Sequence, residues 1–475
     1  MDTLKVIDTL KVDVAVIGAG TAGLAAYRAV KARGGKAVVI EGGPYGTTCA
    51  RVGCMPSKLL IAAAEASHAI DRAPGFGVHV DGVKRIDGRQ VMARVKAERD
   101  RFVGFVIAGV DKIPEADRIR GFAEFVDRNT LQVVNGPRIS ARSIVIATGS
   151  RPNVPPILAN LGDRLVINDD VFMWDDLPKS VAVFGPGVIG LELGQSLARL
   201  GVRVVVLGRG GRVGPISDPV VKAAAVKAFS RDFCLDPDAH VARVERKGDE
   251  VEVEYVNCDG KTVIERFEYV LAATGRTPNI DKLAIANAHL EPGLFGVPAY
   301  DRKTLQVGDT PIFIAGDAAN DMPLLHEAAD EGRIAGENAM RFPAVSPGLR
   351  RAPLGVVFSD PQIAIVGGGM AALAKGTFVS GEVSFEDQGR SRVMLRNHGH
   401  LCVYGDSADG RFLGAEMVGP DAEHIGHLLA WALQARMTVA QMLDMPFYHP
   451  VVEEGLRTAL RDLDAKLREA RKIAA

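Results

Sequence analysis

The chain has 475 residues, with 57 Lys and Arg against 58 Asp and Glu, and a formal net charge of −1. An apolar share of 47% with 24% charged residues excludes bulk disorder, and the balanced charge excludes the electrostatic footprint of a general nucleic-acid binder. The length suggests roughly three domains at about 150 residues each, and no apolar run reaches the roughly 18–20 residues that cross a bilayer. The first residues lack a basic segment followed by an apolar one, so no secretory signal is readable. Glycine is high at 52, against a usual share of roughly 7%. The five cysteines (Cys49, Cys54, Cys234, Cys258, Cys402) are an odd count that argues against a secreted disulfide scaffold. A cytoplasmic, glycine-punctuated α/β protein is expected.

In chain order, DTLKV occurs twice, at 2–6 and 8–12, and is read as a local duplication without functional content. The first predicted strand covers residues 12–17, apolar and β-branched. Gly18-Ala19-Gly20-Thr21-Ala22-Gly23 follows, then a helical pattern to about residue 33 and a strand over 37–40 that ends in Glu41. This is a βαβ unit. An amphipathic stretch around 88–109 predicts a helix, and short β-like segments lead to Ser143-Ile144-Val145-Ile146-Ala147-Thr148-Gly149. The pattern then restarts: a strand over 181–184, the turn Gly185-Pro186-Gly187-Val188-Ile189-Gly190, a helix to residue 200 and a strand over 202–207. Two dinucleotide-binding halves are therefore expected in one chain. A β-rich stretch with Asp259-Gly260 as a hairpin turn ends at Leu271-Ala272-Ala273-Thr274-Gly275-Arg276. Proline and glycine cluster between 341 and 355 and mark a boundary; beyond it come strand-like segments and then helical patterns from Ala422.

Each glycine of Gly18-x-Gly20-x-x-Gly23 has a physical task. One permits the tight turn, one lets backbone approach a pyrophosphate, and one lets helix and strand pack closely, while the helix N-terminus supplies a positive pole. Glu41 lies 21 residues after Gly20, where a carboxylate receives the hydroxyl pair of an adenosine ribose. The second fingerprint, Gly185-x-Gly187-x-x-Gly190, differs at that place. The same 21-residue count from Gly187 lands on Gly208, followed at once by Arg209 and then by Arg212. An arginine there accepts a 2′-phosphate, so this half leans to NADP(H) over NAD(H).

Before a helix that starts near Pro56 runs Gly46-Thr47-Thr48-Cys49-Ala50-Arg51-Val52-Gly53-Cys54-Met55-Pro56-Ser57-Lys58. Two cysteines so close can staple a loop, but the short ring contributes only about 2 kcal/mol by loop entropy, and the cytosol disfavours it. No further Cys or His flanks the pair at ligand spacing, which disfavours a metal. A redox-active dithiol beside a nucleotide site fits better, and a helix N-terminus lowers a thiol pKa, which suits Cys54. The pairs His398/His400 and His424/His427 have no cysteine or carboxylate set around them in sequence, so no metal site is expected.

The Cys-x-x-x-x-Cys-x-Pro-Ser-Lys run resembles the pyridine nucleotide-disulfide oxidoreductase family. Within it the chain is most similar to the dihydrolipoyl dehydrogenase branch, because Ser57 stands where the glutathione-reductase branch carries Lys. Further marks span nearly the whole length. Ala147-Thr148-Gly149 and Thr274-Gly275-Arg276-Thr277-Pro278-Asn279 are similar to the segments that close the two nucleotide domains. Ile314-Ala315-Gly316-Asp317 resembles the flavin motif whose aspartate holds the ribityl chain, and Leu325-His326-Glu327-Ala328 the helix start after it. Ser359-Asp360-Pro361-Gln362-Ile363-Ala364-Ile365-Val366-Gly367 resembles the start of the dimerisation domain, and His449-Pro450-Val451-Val452-Glu453-Glu454 the His-Pro signature near the C-terminus.

The resemblance implies an α/β fold with two Rossmann-like dinucleotide-binding domains, for FAD and NAD(P), plus a C-terminal α+β dimerisation domain. The expected division is 1–152 for the FAD-binding domain with the dithiol, 153–279 for the NAD(P)-binding domain, 280–349 completing the FAD domain, and 350–475 for dimerisation. FAD is expected on Gly18, Gly20, Gly23, Glu41, Lys58, Thr148, Gly149 and Asp317, and the pyridine nucleotide on Gly185, Gly187, Gly190, Arg209, Arg212 and Gly275. Cys49 is assigned as the exposed interchange sulfur and Cys54 as the sulfur facing the flavin. Lys58 and Glu192 form the charged pair near the flavin's reactive nitrogen. His449, oriented by Glu454, is the general acid/base for a substrate thiol, reaching the active site of the other subunit. A homodimer is implied, acting on a small-molecule disulfide or dithiol, with a lipoyl domain of a 2-oxo acid dehydrogenase complex as partner, and with no nucleic acid and no membrane. The alternatives are an NADPH-dependent reductase of another small disulfide, and a redox-sensing flavoprotein without disulfide turnover.

Several positions depart from the dihydrolipoyl pattern. Phe447 stands where a second histidine precedes the catalytic one, Arg51 replaces an Asn between the cysteines, Thr47 a Gly, and Val451 the Thr after His-Pro. Gly190 points to NAD(H), against Gly208 and Arg209, since NADP-using relatives often carry Ala there. No cysteine follows Cys402, which sets the chain apart from mercuric reductases and large thioredoxin reductases with a C-terminal dithiol. Cys234, Cys258 and Cys402 receive no role.

Overall fold

The computed structural model describes residues 9–474. The first DTLKV copy therefore lies outside the described residues, and the second enters the opening strand, Thr9–Ile17. The chain divides into two compact units, one holding residues up to 56, 97–153 and 276–350, the other 57–96, 154–275 and 351–475.

In the first unit the near-continuous apolar run ending in Val16-Ile17 is buried, as a parallel strand covered on both faces requires. It pairs in parallel with Ala37–Glu41 on one side and Arg138–Ile146 on the other, with Val16 opposite Val39 and Val145. Arg118–Arg120 and Ile312–Ile314 extend these flanks in parallel, and the antiparallel pair Ala123–Asp127 and Thr130–Val133 completes a seven-stranded sheet. Helix Leu325–Arg341 lies along helix Thr21–Ala32. A Cβ at Gly332 or Gly336 would run into the carbonyls of Ala22 or Ala26, so the approach depends on those glycines.

The second unit repeats the layout. Its parallel sheet runs Cys234–Asp236, Arg203–Leu207, Ser180–Phe184, Tyr269–Ala272, Leu165–Val166. A three-stranded antiparallel sheet follows the first of these in sequence (Val241–Lys247, Glu250–Val256, Thr262–Phe267), and its second turn closes where Asp259-Gly260 predicts. Beyond residue 350, five antiparallel strands are ordered Leu354–Val357, Gln362–Val366, Phe412–Gly419, His400–Asp406, Phe378–Ser384. Helices Ala422–Gln434 and Glu453–Ala474 bury Leu429, Leu456 and Leu463 in the same apolar core as Val403 and Met417 of those strands. The expected class, two nucleotide-binding α/β layouts and a C-terminal α+β part, is present. Among the described residues no helix is long and apolar enough to cross a membrane.

Candidate active site

In the first unit, the opening strand runs into Gly18, whose φ of 107° L side chains rarely adopt and where a Cβ would strike the Ala147 carbonyl. A Cβ at Gly23 would strike the Gly18 carbonyl, whereas one at Gly20 meets nothing, so the space over Gly20 is open. Glu41 folds its carboxylate back onto this turn, Oε2 accepting from Ala19 N at 2.8 Å and Oε1 from Gly43 N at 2.7 Å. After strand Arg138–Ile146 come Thr148 and Gly149, and the buried Thr148 Oγ1 has no hydrogen-bond partner. Asp317 Oδ2 accepts from Ser150 Oγ at 2.6 Å. Arg276 donates to the Ser150 hydroxyl at 2.8 Å and to its carbonyl at 2.7 Å, and Asn279 Nδ2 to the Thr148 carbonyl at 3.1 Å. An open glycine at a helix N-terminus, a carboxylate on the turn and an orphaned buried hydroxyl suit FAD: Gly18–Gly23 would hold its pyrophosphate and Glu41 a ribose. Ser150, which links Asp317 to Arg276, was missed in the sequence; a serine after Thr-Gly carries no signal of its own.

Cys49 and Cys54 are joined as a disulfide with Cα atoms 4.7 Å apart. Thr47, at the N-terminus of the short helix Thr48–Val52, accepts from Ala50 N at 3.4 Å. It does so at φ 59°, a region glycine enters freely, which accounts for Gly in the family pattern. Cys54 is the first residue of the nineteen-residue helix Cys54–Arg72, at the positive end of its dipole. Contrary to the expected order, Cys49 is half-buried and Cys54 exposed. Helix position, not exposure, is what distinguishes the two sulfurs.

In the second unit, Lys58 Nζ reaches Glu192 Oε1 at 2.9 Å and Oε2 at 2.8 Å and lies 4.5 Å over the Phe358 ring. Glu192 is only 4% exposed and also accepts from Phe358 N at 3.0 Å. The expected pair is thus brought together, and Phe358, which covers the cation and donates to the anion, is the member the sequence did not reveal. Its only local signal is the adjoining Ser359-Asp360-Pro361.

The second fingerprint copies the first. Gly185 has φ 104°, a Cβ there would strike the Ala273 carbonyl, and one at Gly190 would strike the Gly185 carbonyl. Gly187 is nearly clear, with the Ala273 carbonyl at 3.9 Å, and Gly275 is open at φ 99°. Gly208 has a steric cause. A Cβ there would strike the Pro237 carbonyl and lie 2.8 Å from Pro186 Cγ, so no carboxylate-bearing residue fits. Backbone bonds lace this turn to the segment after the edge strand: Gly208 N to Asp236 O at 2.7 Å, Ala239 N to Gly208 O at 3.1 Å and Gly211 N to Pro237 O at 3.1 Å. Gly210 N also donates to Asp238 Oδ1 at 2.6 Å. Arg209 and Arg212 are exposed and make no hydrogen bond or ion pair among the described residues.

Near the C-terminus, His449 Nδ1 and Glu454 Oε2 are 2.9 Å apart, and the histidine side chain is 81% exposed. Glu454 also accepts from Arg457 at 3.0 Å through Oε1 and from Val451 N at 3.4 Å. Desolvation pushes the Glu454 carboxyl up, but the bonds from His449 and Val451 and the charges of His449 and Arg457 outweigh it and hold it below the usual range. Arg457 stands 5.7 Å over the Phe447 ring, so the residue in place of the second histidine supports the cation that steadies Glu454. Arg457 was missed, though its place three residues after Glu454 on one helix was readable.

Two groupings correct the sequence reading. Cys234 and Cys258, to which the sequence assigned no role, are joined as a second disulfide with Cα atoms 6.2 Å apart; Cys402 is free and buried. His400, expected to lack ligand-type neighbours, lies with Glu382 and Cys402, their ligand-type atoms all within 4.8 Å. Cross-strand register does this: Cys402 faces Glu382, two residues along from His400.

The profile of the pyridine nucleotide-disulphide oxidoreductase family matches residues 12–332, and that of its dimerisation domain residues 354–460. The chain belongs to this family and is an FAD-dependent enzyme that uses a pyridine nucleotide. The dihydrolipoyl dehydrogenase of Haloferax volcanii is 32% identical over 94% of this chain and 94% of its own length. The mercuric reductase of Staphylococcus aureus is 29% identical over 95% of this chain and 82% of its own length. Identity therefore does not separate the two groups. LpdA from Mycobacterium tuberculosis superposes with a TM-score of 0.79 at 26% identity, covering 95% of this chain and 99% of that one. The HOCl-induced flavoprotein disulfide reductase RclA from Escherichia coli shares the fold, with a TM-score of 0.76 at 23% identity and the same coverage.

Proposed function

We propose that this enzyme passes electrons between dihydrolipoamide and NAD(P)+ through the Cys49–Cys54 pair. The observation that carries the reading is the His449–Glu454 pair, a base held by a carboxylate at 2.9 Å on one ring nitrogen while the other faces outward. In the dithiol-oxidising direction His449 Nε2 takes a proton from a substrate thiol, and Glu454 fixes the tautomer and supports the imidazolium. The substrate thiolate attacks Cys49, forming a mixed disulfide, and the Cys54 sulfur leaves as a thiolate stabilised at its helix N-terminus. The second substrate thiol then attacks the mixed disulfide, releasing oxidised lipoamide and leaving Cys49 as a thiol. Bound FAD supplies the two-electron chemistry that connects the dithiol to the nucleotide.

In this reading Gly18, Gly20, Gly23, Glu41, Thr148, Gly149 and Asp317 hold FAD, and Lys58, paired with Glu192, presents a fixed cation to it. Gly185, Gly187, Gly190, Gly275, Arg209 and Arg212 hold the nucleotide. Residues 1–152 and 280–349 form the FAD part, 153–279 the NAD(P) part and 350–475 the dimerisation part. The dimerisation domain supports a homodimer in which His449 serves the dithiol of the other subunit. Its high exposure, with Glu454 as its only partner among the described residues, leaves Nε2 available for that. A cytoplasmic setting suits the nucleotide, and a lipoyl domain is the protein partner of this chemistry. One observation favours a second reading, an NADPH-dependent reductase of another small disulfide: the turn with Gly208 in place of an acid and two unpaired arginines.

Anaerobic turnover with lipoamide and with glutathione disulfide, each with NADH and with NADPH, tests both. Lipoamide is expected to show a kcat/KM at least about tenfold higher than glutathione disulfide, or roughly 1.4 kcal/mol. A higher value for glutathione disulfide overturns the first reading in favour of the second, and flavin reduction without turnover on either overturns both. Cys49→Ser is expected to keep its flavin and lose disulfide turnover by at least about a thousandfold.

A further inference from the structure

We propose that Cys234 and Cys258 are a regulatory thiol pair: a small-molecule disulfide oxidises them, and the resulting bridge fastens the turn that grips the adenosine end of the pyridine nucleotide, so nucleotide affinity rises under oxidising conditions. The inference rests on reading Gly208–Arg212 as that end.

Cys234 opens a three-residue edge strand, held to Arg203–Leu207 by three parallel pairs, Val205 with Cys234, Val206 with Leu235 and Leu207 with Asp236. So short an edge strand is weakly held by itself and opens locally at little cost. Its last residue and those that follow it are the ones laced to the nucleotide turn. Asp236 and Pro237 accept from Gly208 N and Gly211 N, Ala239 N donates to Gly208 O, and the Asp238 side chain accepts from Gly210 N. Whatever holds the edge strand holds that turn. Cys258 supplies a hold from outside the sheet. It lies on the exposed hairpin turn between Glu250–Val256 and Thr262–Phe267, where Asn257 Oδ1 accepts from Asp259 N and Lys261 N at 3.0 Å each. The bridge closes a span of 24 residues and removes the open states in which edge strand and hairpin separate. It shares no residue with the Cys49–Cys54 pair.

Exposure orders the chemistry, for Cys258 is exposed and Cys234 half-buried. The Cys258 thiolate attacks a small disulfide, forms a mixed disulfide and expels one thiolate. The Cys234 thiolate then attacks the Cys258 sulfur and expels the second. Two protein thiols lose two electrons and two protons, and one small disulfide becomes two thiols. The oxidant belongs to the substrate class of the enzyme itself. When the enzyme runs in the disulfide-reducing direction, an accumulating disulfide therefore tightens the binding of the nucleotide that supplies the electrons.

The test is calorimetric binding of NADP+ and NAD+ to the flavin-loaded enzyme equilibrated with glutathione disulfide or with reduced glutathione, alongside peptide mapping. The oxidised wild type is expected to yield a linked peptide joining Cys234 to Cys258 and to bind nucleotide about 3–10-fold more tightly than the reduced protein. Cys258→Ser and Cys234→Ser are expected to show the reduced value in both buffers, which also removes the catalytic pair as the source of any response. No linked peptide, equal affinity of the wild type in both buffers, or a response that persists in C258S overturns the proposal. Arg209→Ala separates the two inferences. If it weakens NADP+ binding while the wild type ignores redox state, only the switch fails. If it binds NADP+ like the wild type, the reading of the turn fails and the switch fails with it.

Discussion

At Gly18 and at Gly185 the chain makes the same turn twice, with φ of 107° and 104°. In each case the strand-following carbonyl, of Ala147 or Ala273, stands where a Cβ would be. In each, the third glycine is pressed against the carbonyl of the first. Past the middle glycine by 21 residues the two part company. The first turn ends on Glu41, whose two oxygens are fixed by Ala19 N and Gly43 N. The second ends on Gly208, where the Pro237 carbonyl occupies the side-chain position, and Arg209 and Arg212 after it are exposed. The first and third glycines of each turn are dictated by backbone sterics, since a Cβ at either would strike a carbonyl. The position 21 residues past the middle glycine is set by one neighbouring segment, and there the two halves differ.

The strongest way to break this comparison is to spoil each turn separately. Gly18→Ala puts a Cβ into the Ala147 carbonyl at a φ that alanine resists, and the protein is expected to purify with flavin absorbance reduced by more than about tenfold, at least about 1.4 kcal/mol of binding. Gly185→Ala commits the same offence in the other turn. It is expected to retain flavin and lose pyridine-nucleotide turnover by about a hundredfold or more. Flavin lost from G185A and kept in G18A would exchange the two assignments.

A smaller effect is expected from moving the acid of the first turn into the second. Gly208→Glu meets the Pro237 carbonyl and Pro186, and overpacking of this kind costs about 1–3 kcal/mol. Thermal unfolding of the flavin-loaded protein is expected to show that loss, with no gain in kcat/KM for NADH. A protein of unchanged stability that turns over NADH tenfold better would show that the Pro237 segment yields, and that sterics do not explain the missing acid.

The features legible in sequence are those whose partners are fixed by chain spacing. Both glycine turns, the absence of an acid at Gly208, the two closely spaced cysteines and the His449–Glu454 pair five residues apart all belong here. The illegible ones depend on which strands and loops come together. Phe358 covers Lys58 from 300 positions away in the chain, Ser150 reaches Asp317 across two strands of the sheet, and Cys258 meets Cys234 only because the hairpin returns to the sheet edge. Glu382, His400 and Cys402 converge through antiparallel register, which flanking residues do not encode. Exposure is also a property of the folded chain, and it runs opposite to expectation at Cys49 and Cys54.

Glu41 is the residue that most defines the first turn. Glu41→Gln keeps the shape and one acceptor, so one of the two amide bonds survives and the other faces an NH2 group. A lost charge-assisted bond of this kind is worth about 1.5–3 kcal/mol, part of which falls on the turn alone. Two measurements on the variant separate the shares: the melting temperature of the flavin-free protein, which reads the amide bonds, and the Kd for FAD on reconstitution, which adds any contact with the ribose. A contact with the ribose predicts a Kd raised by about tenfold, or roughly 1.4 kcal/mol, with a melting temperature lowered by only a few degrees. If instead the melting temperature falls and the FAD affinity holds, Glu41 serves only the backbone of its own turn. The contrast with Gly208 would then concern how each turn is braced, and recognition of the ribose would have to lie elsewhere in both halves.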